Sequence, residues 1–188
     1  MGTVHKTKEE IEAEMQIIIR AKSDPNRFAP LYDKYYKSIF VFVYRRTDDE
    51  DTASDLTSQV FMKAVINLNK YEFKGLPFSA WLFRIAVNEI NMFFRNGKKK
   101  RTIHIDDYGL FRLKDEVYDY EQEDKETILL NCIQNLSADE VQFLELRFFE
   151  DKSFKEIGII LDITENNAKV KTYRILDKIK KIITSIED

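Results

Sequence analysis

"FKEIGIILDITENNAKVKTYRILDKIKKII", residues 154–183, holds two apolar repeats split by a short interruption. The first, residues 154–161, predicts a short helix, and "DIT" at 162–164 predicts the turn that ends it. In the second, Ala168, Thr172, Ile175, Ile179 and Ile182 step by four, three, four and three. That spacing keeps them on one buried face of a helix starting near Glu165. Lys169, Val170, Tyr173 and Arg174 are thereby turned outward, and Gly158 allows close approach of the two helices. Two short helices joined by a tight turn, the second with a basic outer face, form a helix-turn-helix that can enter a DNA major groove. A plain packing corner shares the spacing, but not the basic face.

Working upstream, residues 127–153 continue the helical pattern, and Cys132 falls in phase with Ile128 and Leu136 as a buried structural thiol. From Asp106 to Glu126 the pattern stops. Nine acids there face Arg112, Lys114 and Lys125, and Tyr108, Phe111, Tyr118 and Tyr120 follow no helical period. Residues 103–126 therefore read as an acidic linker, long enough when extended at about 3.3 Å per residue to span well-separated binding elements.

Ahead of the linker, "WLFRIAVNEINMFFRNGKKKR" (81–101) is an apolar helix that ends in positive charge. Arg84, Asn88, Asn91 and Arg95 step by four, three and four along its polar side, and Lys98 and Lys99 follow. Guanidiniums and amides can hydrogen-bond base edges, and lysines can displace counterions from phosphates. Ser79 is the expected N-cap, after a loop at 69–79 that contains Gly75 and Pro77. Further back, "TDDED" starts a helix running to about Leu68. Phe28, Leu31, Tyr35, Ile39 and Phe42 mark the core face of the helix before it, and residues 8–22 form a leading helix that "SDPN" stops.

Composition agrees with an all-α chain: only 5 Gly and 3 Pro in 188 residues leave few breakers for tight-turned strands. The net charge of −3 is an average that hides two basic clusters. One has five cations in residues 95–101, and the other has six in residues 169–181 against Asp177 alone. The longest apolar run, residues 39–44, is far below the roughly 20 residues a membrane helix needs. The polar N-terminus lacks the pattern of a signal peptide, and the single cysteine fits a reducing compartment, so a cytoplasmic location is expected. His5 and His104 are isolated, and phosphate-loop, zinc and nucleophile-elbow motifs are lacking. These points predict a non-enzyme with no cofactor, no metal and no small-molecule substrate.

"FAPLYDKYYKSIFVFVYRRTDDEDTASDLTSQVFMKAVINLNKYEF" with "FSAWLFRIAVNEINMFFRNGKKKR" resembles region two of the extracytoplasmic-function (ECF) sigma factors. "LSADEVQFLELRFFEDKSFKEIGIILDITENNAKVKTYRILDKIKK" resembles their region four. The resemblance implies two small helical domains, at 25–102 and 127–188, joined by the linker and preceded by an extension at 1–24. It implies a subunit that takes core RNA polymerase to promoter DNA and helps melt it, often under an anti-sigma partner that no motif here identifies. Arg84, Asn88, Asn91, Arg95, Lys98 and Lys99, with the loop at 71–78, match the minus-ten reader. Lys169, Val170, Lys171, Tyr173 and Arg174 match the minus-thirty-five reader, with Lys171 and Lys178 nearer the backbone. Asp55, Leu56 and Gln59 match the polymerase-docking surface, where the family usually has Glu-Asp-Leu and then Gln-Glu and this chain has Ser54 before Asp55-Leu56 and then Ser58-Gln59. Asp162 stands in the turn where the family usually has Gly, and Asp tolerates a left-handed backbone. Two other readings stay open: a dimeric helix-turn-helix regulator with an N-terminal effector module, and a helical adaptor without DNA.

Overall fold

The computed structural model describes residues 8–97, 107–118 and 126–187, and among these there is no strand. His5, Lys98, Lys99, His104 and Tyr120 lie outside the described residues. The chain divides into two compact units, Met1–His104 and Ile105–Asp188.

The first unit holds α1 (Lys8–Ser23), α2 (Ala29–Thr47), α3 (Glu50–Asn67) and α4 (Phe78–Asn96). Asp24 and Pro25 stop α1 as expected; the Asp24 carboxylate accepts from Asn26 N at 3.1 Å and opens a 3₁₀ turn over Pro25–Phe28. Asp48, left-handed at φ 51°, ends α2, and Asp49 caps α3 by accepting from Thr52 N at 2.8 Å. The core is the predicted stripe of α2, with Phe28, Leu31, Tyr35, Ile39 and Phe42 all buried. Ala53, Leu56, Val60, Phe61 and Ala64 of α3 join it, with Leu82, Phe83, Ala86 and Ile90 of α4.

The second unit contains α5 (Asp107–Val117), α6 (Glu126–Gln134), α7 (Ala138–Leu144), α8 (Phe154–Leu161) and α9 (Glu165–Glu187). A π-helical turn at Glu145–Phe149 extends α7. Reciprocal Ser137–Glu140 and Ser153–Glu156 capping boxes fix where α7 and α8 begin. Cys132 is buried, and burial pushes its thiol pKa up.

The acidic stretch is not linker throughout. Helix α5 buries Leu110, Leu113 and Val117, packs Gly109 against the Phe149 ring, and pairs Arg112 with Asp151. A helix rises about 1.5 Å per residue against about 3.3 Å for extended chain. Eleven helical residues thus cut the expected reach of the linker by roughly 20 Å.

Candidate nucleic-acid interface

Helix α4 is held by its apolar side and by an ion pair between buried Glu89 and Lys63 Nζ, at 2.6 Å. Its opposite side presents Asn88, Asn91 and Arg95 to solvent. Arg84, in the same row, is half-buried and already engaged within the fold. Ser79 does not cap the helix. It is buried one position inside α4, and Pro77 occupies the cap position without a side-chain bond. The carboxylate of Glu14, on α1, supplies the missing acceptor: Phe78 N donates to Glu14 Oε2 at 3.0 Å.

The loop at 71–77 also departs from expectation. Tyr71 and Phe78 are not available for stacking, because both are buried edge-to-face on each other at 5.1 Å, with Trp81 5.2 and 5.3 Å away. Phe73 is the large exposed side chain of the loop, at 45% exposure, with exposed Lys74 beside it. Gly75 has φ +71° and nothing within 4 Å of a Cβ, so the turn there is a backbone requirement and not a packing one.

On α3, Asp55 and Gln59 face outward as expected, but Leu56 is only 4% exposed. It lies in phase with Ala53 and Val60, so the helical period sends it into the core. The outward row from Asp55 and Gln59 continues instead through Met62 and Ile66, 55% and 68% exposed. Apolar residues out of phase with the buried row were the available signal, and sequence reasoning missed it. A shallow groove of about 330 Å³ runs beside this row, lined by Leu56, Gln59, Glu89, Met92, Phe93 and Asn96.

The turn between α8 and α9 is tight. Asp162 is left-handed at φ 58°, as its place in "DIT" predicts, and Ile163 N donates to Gly158 O at 2.9 Å. A Cβ on Gly158 would meet Ile163 O at 2.9 Å, so the close approach is to the turn backbone more than to α9. Thr164 Oγ1 accepts from Asn167 N at 3.1 Å at the start of α9. Ala168, Thr172, Ile175 and Ile179 are buried as read; Ile183 completes the row, and Ile182 is only half-buried. Lys169, Val170, Lys171, Tyr173 and Arg174 are all exposed.

Two contacts modify that face. Tyr173 packs on Phe154 at 6.0 Å, and the Arg147 guanidinium lies 5.0 Å over the same Phe154 ring. Lys178 is tied to both oxygens of Glu140, at 2.8 and 3.0 Å. The hydrogen bond from Lys178 is the main cause that holds the Glu140 carboxyl below its usual range. The charge of Lys178 is therefore partly spoken for, and Lys171, 5.6 Å over Phe143, sits at the edge of the face.

Residues 31–100 match the family model for Sigma-70 region 2, and residues 126–179 match that for Sigma-70, region 4. The chain belongs to the sigma-70 family, in its ECF group. It is 28% identical to the ECF RNA polymerase sigma factor SigM of Bacillus subtilis, over 81% of this chain and 92% of that protein. It is 24% identical to the ECF RNA polymerase sigma factor BldN of Streptomyces coelicolor, over 90% of this chain but 65% of the relative's length. Two solved structures share the fold. CnrH in complex with the cytosolic domain of CnrY gives a TM-score of 0.60 at 16% identity, over 90% of this chain and 96% of that one. The sigma factor RpoE of Bartonella quintana, in complex with the anti-sigma factor NepR, gives 0.56 at 19%, over 84% and 96%.

In this sigma-family chain nearly all of α2, with α3 and α4, falls within region 2, while α6 to α8 and most of α9 fall within region 4. Helix α1 precedes the region 2 match, and α5 precedes the region 4 match. Among the described residues no group of His, Cys, Asp and Glu could hold a metal ion, and no helix is long and apolar enough to cross a membrane.

Proposed function

We propose that this chain is an ECF-type sigma factor, a specificity subunit without chemistry of its own that brings core RNA polymerase to promoters and helps melt them. The supporting observation is a pair of exposed polar faces on separate units, Asn88, Asn91 and Arg95 on α4 and Lys169 to Arg174 on α9, within region 2 and region 4 in that order. A dimeric regulator would need only the second.

In this reading α9 lies in the major groove of an upstream element. Arg174 and Lys169 reach guanine acceptors, and Tyr173 and Val170 offer apolar contact to thymine methyls. The α4 face reads unstacked bases downstream, with amides on base edges and Phe73 as a stacking platform. Lys98, Lys99 and Arg95 neutralise phosphate, a role without sequence information. Asp55 and Gln59, with Met62 and Ile66, form the polymerase-docking row. The protein works in the cytoplasm, beside the polymerase. An anti-sigma protein, of the kind named in the RpoE complex, is the regulator this reading brings with it.

The test is co-purification with core polymerase, then run-off transcription and promoter selection from a randomised library. Arg174→Ala relaxes preference at one upstream base pair by about 1–3 kcal/mol, and Asn88→Ala relaxes only downstream positions. A variant that shifts both elements, or neither, overturns the division of labour. Failure of the wild-type chain to bind core overturns the function.

A further inference from the structure

The backbone at both ends of the loop at 71–78 is held by one element, α1, that lies outside the region 2 match. At the first end, Lys22 Nζ of α1 donates to Tyr71 O at 2.7 Å and lies 6.0 Å from the Tyr71 ring. At the other end, Glu14 of α1 accepts from Phe78 N at 3.0 Å, a contact 64 residues apart in sequence. Glu14 is buried, and its other oxygen takes Lys34 Nζ at 2.9 Å and the Tyr35 hydroxyl. The carboxylate thus joins α1, α2 and the first amide of α4 in one buried knot. Ile18 and Ala21, buried between the two contact positions, seat α1 on the unit.

The loop needs such support. It has a left-handed Gly75 with open space around it, and α4 has no cap from its own sequence. Its exposed tip, Phe73 and Lys74, projects from ends that are fixed. A binding loop whose ends are held in place loses less freedom when a base docks, so more of the contact energy appears as affinity.

We infer that α1 is a brace for base capture: Lys22 and Glu14 are positioning residues that pre-set the loop and the start of α4. This rests on the proposed base-reading role of that loop and of Asn88. It gives the N-terminal helix a part in promoter melting without any contact of its own with DNA.

The experiment uses holoenzyme, formed from the full chain and core polymerase. The probe is the non-template oligonucleotide that the wild-type holoenzyme selects from a randomised single-stranded pool. Lys22→Met removes the donor to Tyr71 O and keeps the apolar stem. It weakens oligonucleotide binding about three- to tenfold, the order expected for one lost hydrogen bond. Core affinity and upstream duplex preference stay at wild-type values, and Lys22→Arg, which keeps a donor, returns binding to within about twofold. Hydrogen exchange at the amides of residues 71–78 speeds up in Lys22→Met and not in Lys22→Arg. Lys22→Gln, too short to reach the carbonyl, repeats the loss with a polar side chain. Wild-type binding and exchange in Lys22→Met overturn the brace. If Phe73→Ala and Asn88→Ala also bind the oligonucleotide as wild type does, the base-reading assignment itself is what has failed. If those two lose affinity while Lys22→Met does not, only the brace is wrong.

Discussion

Gly158→Ala sets two measurable effects against each other at the turn that aims α9. Replacing glycine by alanine inside a helix stabilises it by about 1 kcal/mol, and somewhat less here because Gly158 lies in the last turn of α8. Against this, the new methyl carbon meets Ile163 O at 2.9 Å, Glu165 N at 3.3 Å and Thr164 C at 3.4 Å. All three are backbone atoms. They are held by Ile163 N to Gly158 O at 2.9 Å, Ala168 N to Thr164 O at 3.0 Å and the Thr164 side-chain bond at 3.1 Å. A side chain could swing aside; this turn can move only by loosening those bonds. Inserting a methyl group into packed structure costs about 1–3 kcal/mol, so the net result is a destabilisation of about 0.5–2 kcal/mol. The assay is chemical denaturation followed by far-UV circular dichroism. At low denaturant, upstream-duplex binding is compared under conditions where the variant is folded. Trp81, the sole tryptophan, checks that the first unit keeps its native fluorescence. Gly75→Ala is the contrast, since it has positive φ but no close neighbour and costs only about 1 kcal/mol through the backbone. A Gly158→Ala protein as stable as wild type, with unchanged duplex affinity, would show that the turn yields and that the close approach carries no constraint.

Asp55→Arg, and separately Met62→Asp, each abolish pull-down of core polymerase while leaving the circular dichroism spectrum intact, since both side chains are exposed; retained pull-down in both removes the docking row. Phe154→Ala lowers discrimination at the base pair that Tyr173→Ala also affects, and the double variant is no worse than the single ones; fully additive losses in promoter selection show that the Phe154–Tyr173 stack does not orient the reader. Lys178→Met lowers stability by about 0.2–1 kcal/mol at neutral pH, the range for solvent-screened pairs. Because the folded Glu140 carboxyl titrates below its unfolded value of about 4.3, that contribution is present above this pH and is lost as pH falls through the lower folded value. Denaturation midpoints for wild type and Lys178→Met that keep the same gap at pH 3 and pH 7 refute the linkage.

Elements whose partners are close in sequence were legible in it. The α2 stripe from Phe28 to Phe42 is buried as spaced, and α8 occupies the residues its pattern marks, because one helical period decides both. Misreadings cluster where charge or distance hides that period. In α5, Leu110, Leu113 and Val117 do repeat at helical spacing, but the surrounding acids and unpatterned aromatics mask three residues. Ser79 is the nearest cap residue in sequence, but the acceptor at the start of α4 is Glu14, which only the folded chain brings there. Leu56 matches the family's docking motif, but its phase with Ala53 and Val60 points it inward.

The same distinction separates the two proposed readers. On α9 the proposed recognition face is the exposed remainder once Ala168, Thr172, Ile175 and Ile179 are buried in the core. Lys169, Val170 and Arg174 are exposed, so base preference there can change with little effect on folding. Tyr173 is the partial exception, through its contact with Phe154. On α4 the exposed amides stand on a helix whose position depends on buried charge, Glu89 with Lys63 across to α3 and Glu14 at its first amide. Lys63 is itself part-exposed, but Glu89 and Glu14 are buried, and leaving a buried acceptor without its partner costs about 1–3 kcal/mol, more than an exposed reading face contributes to stability. The upstream reader is therefore free to diverge residue by residue, whereas the supports of the downstream reader are constrained together. Substitutions that retarget this protein to a new promoter are easier to find at Lys169, Val170 and Arg174 than beneath α4.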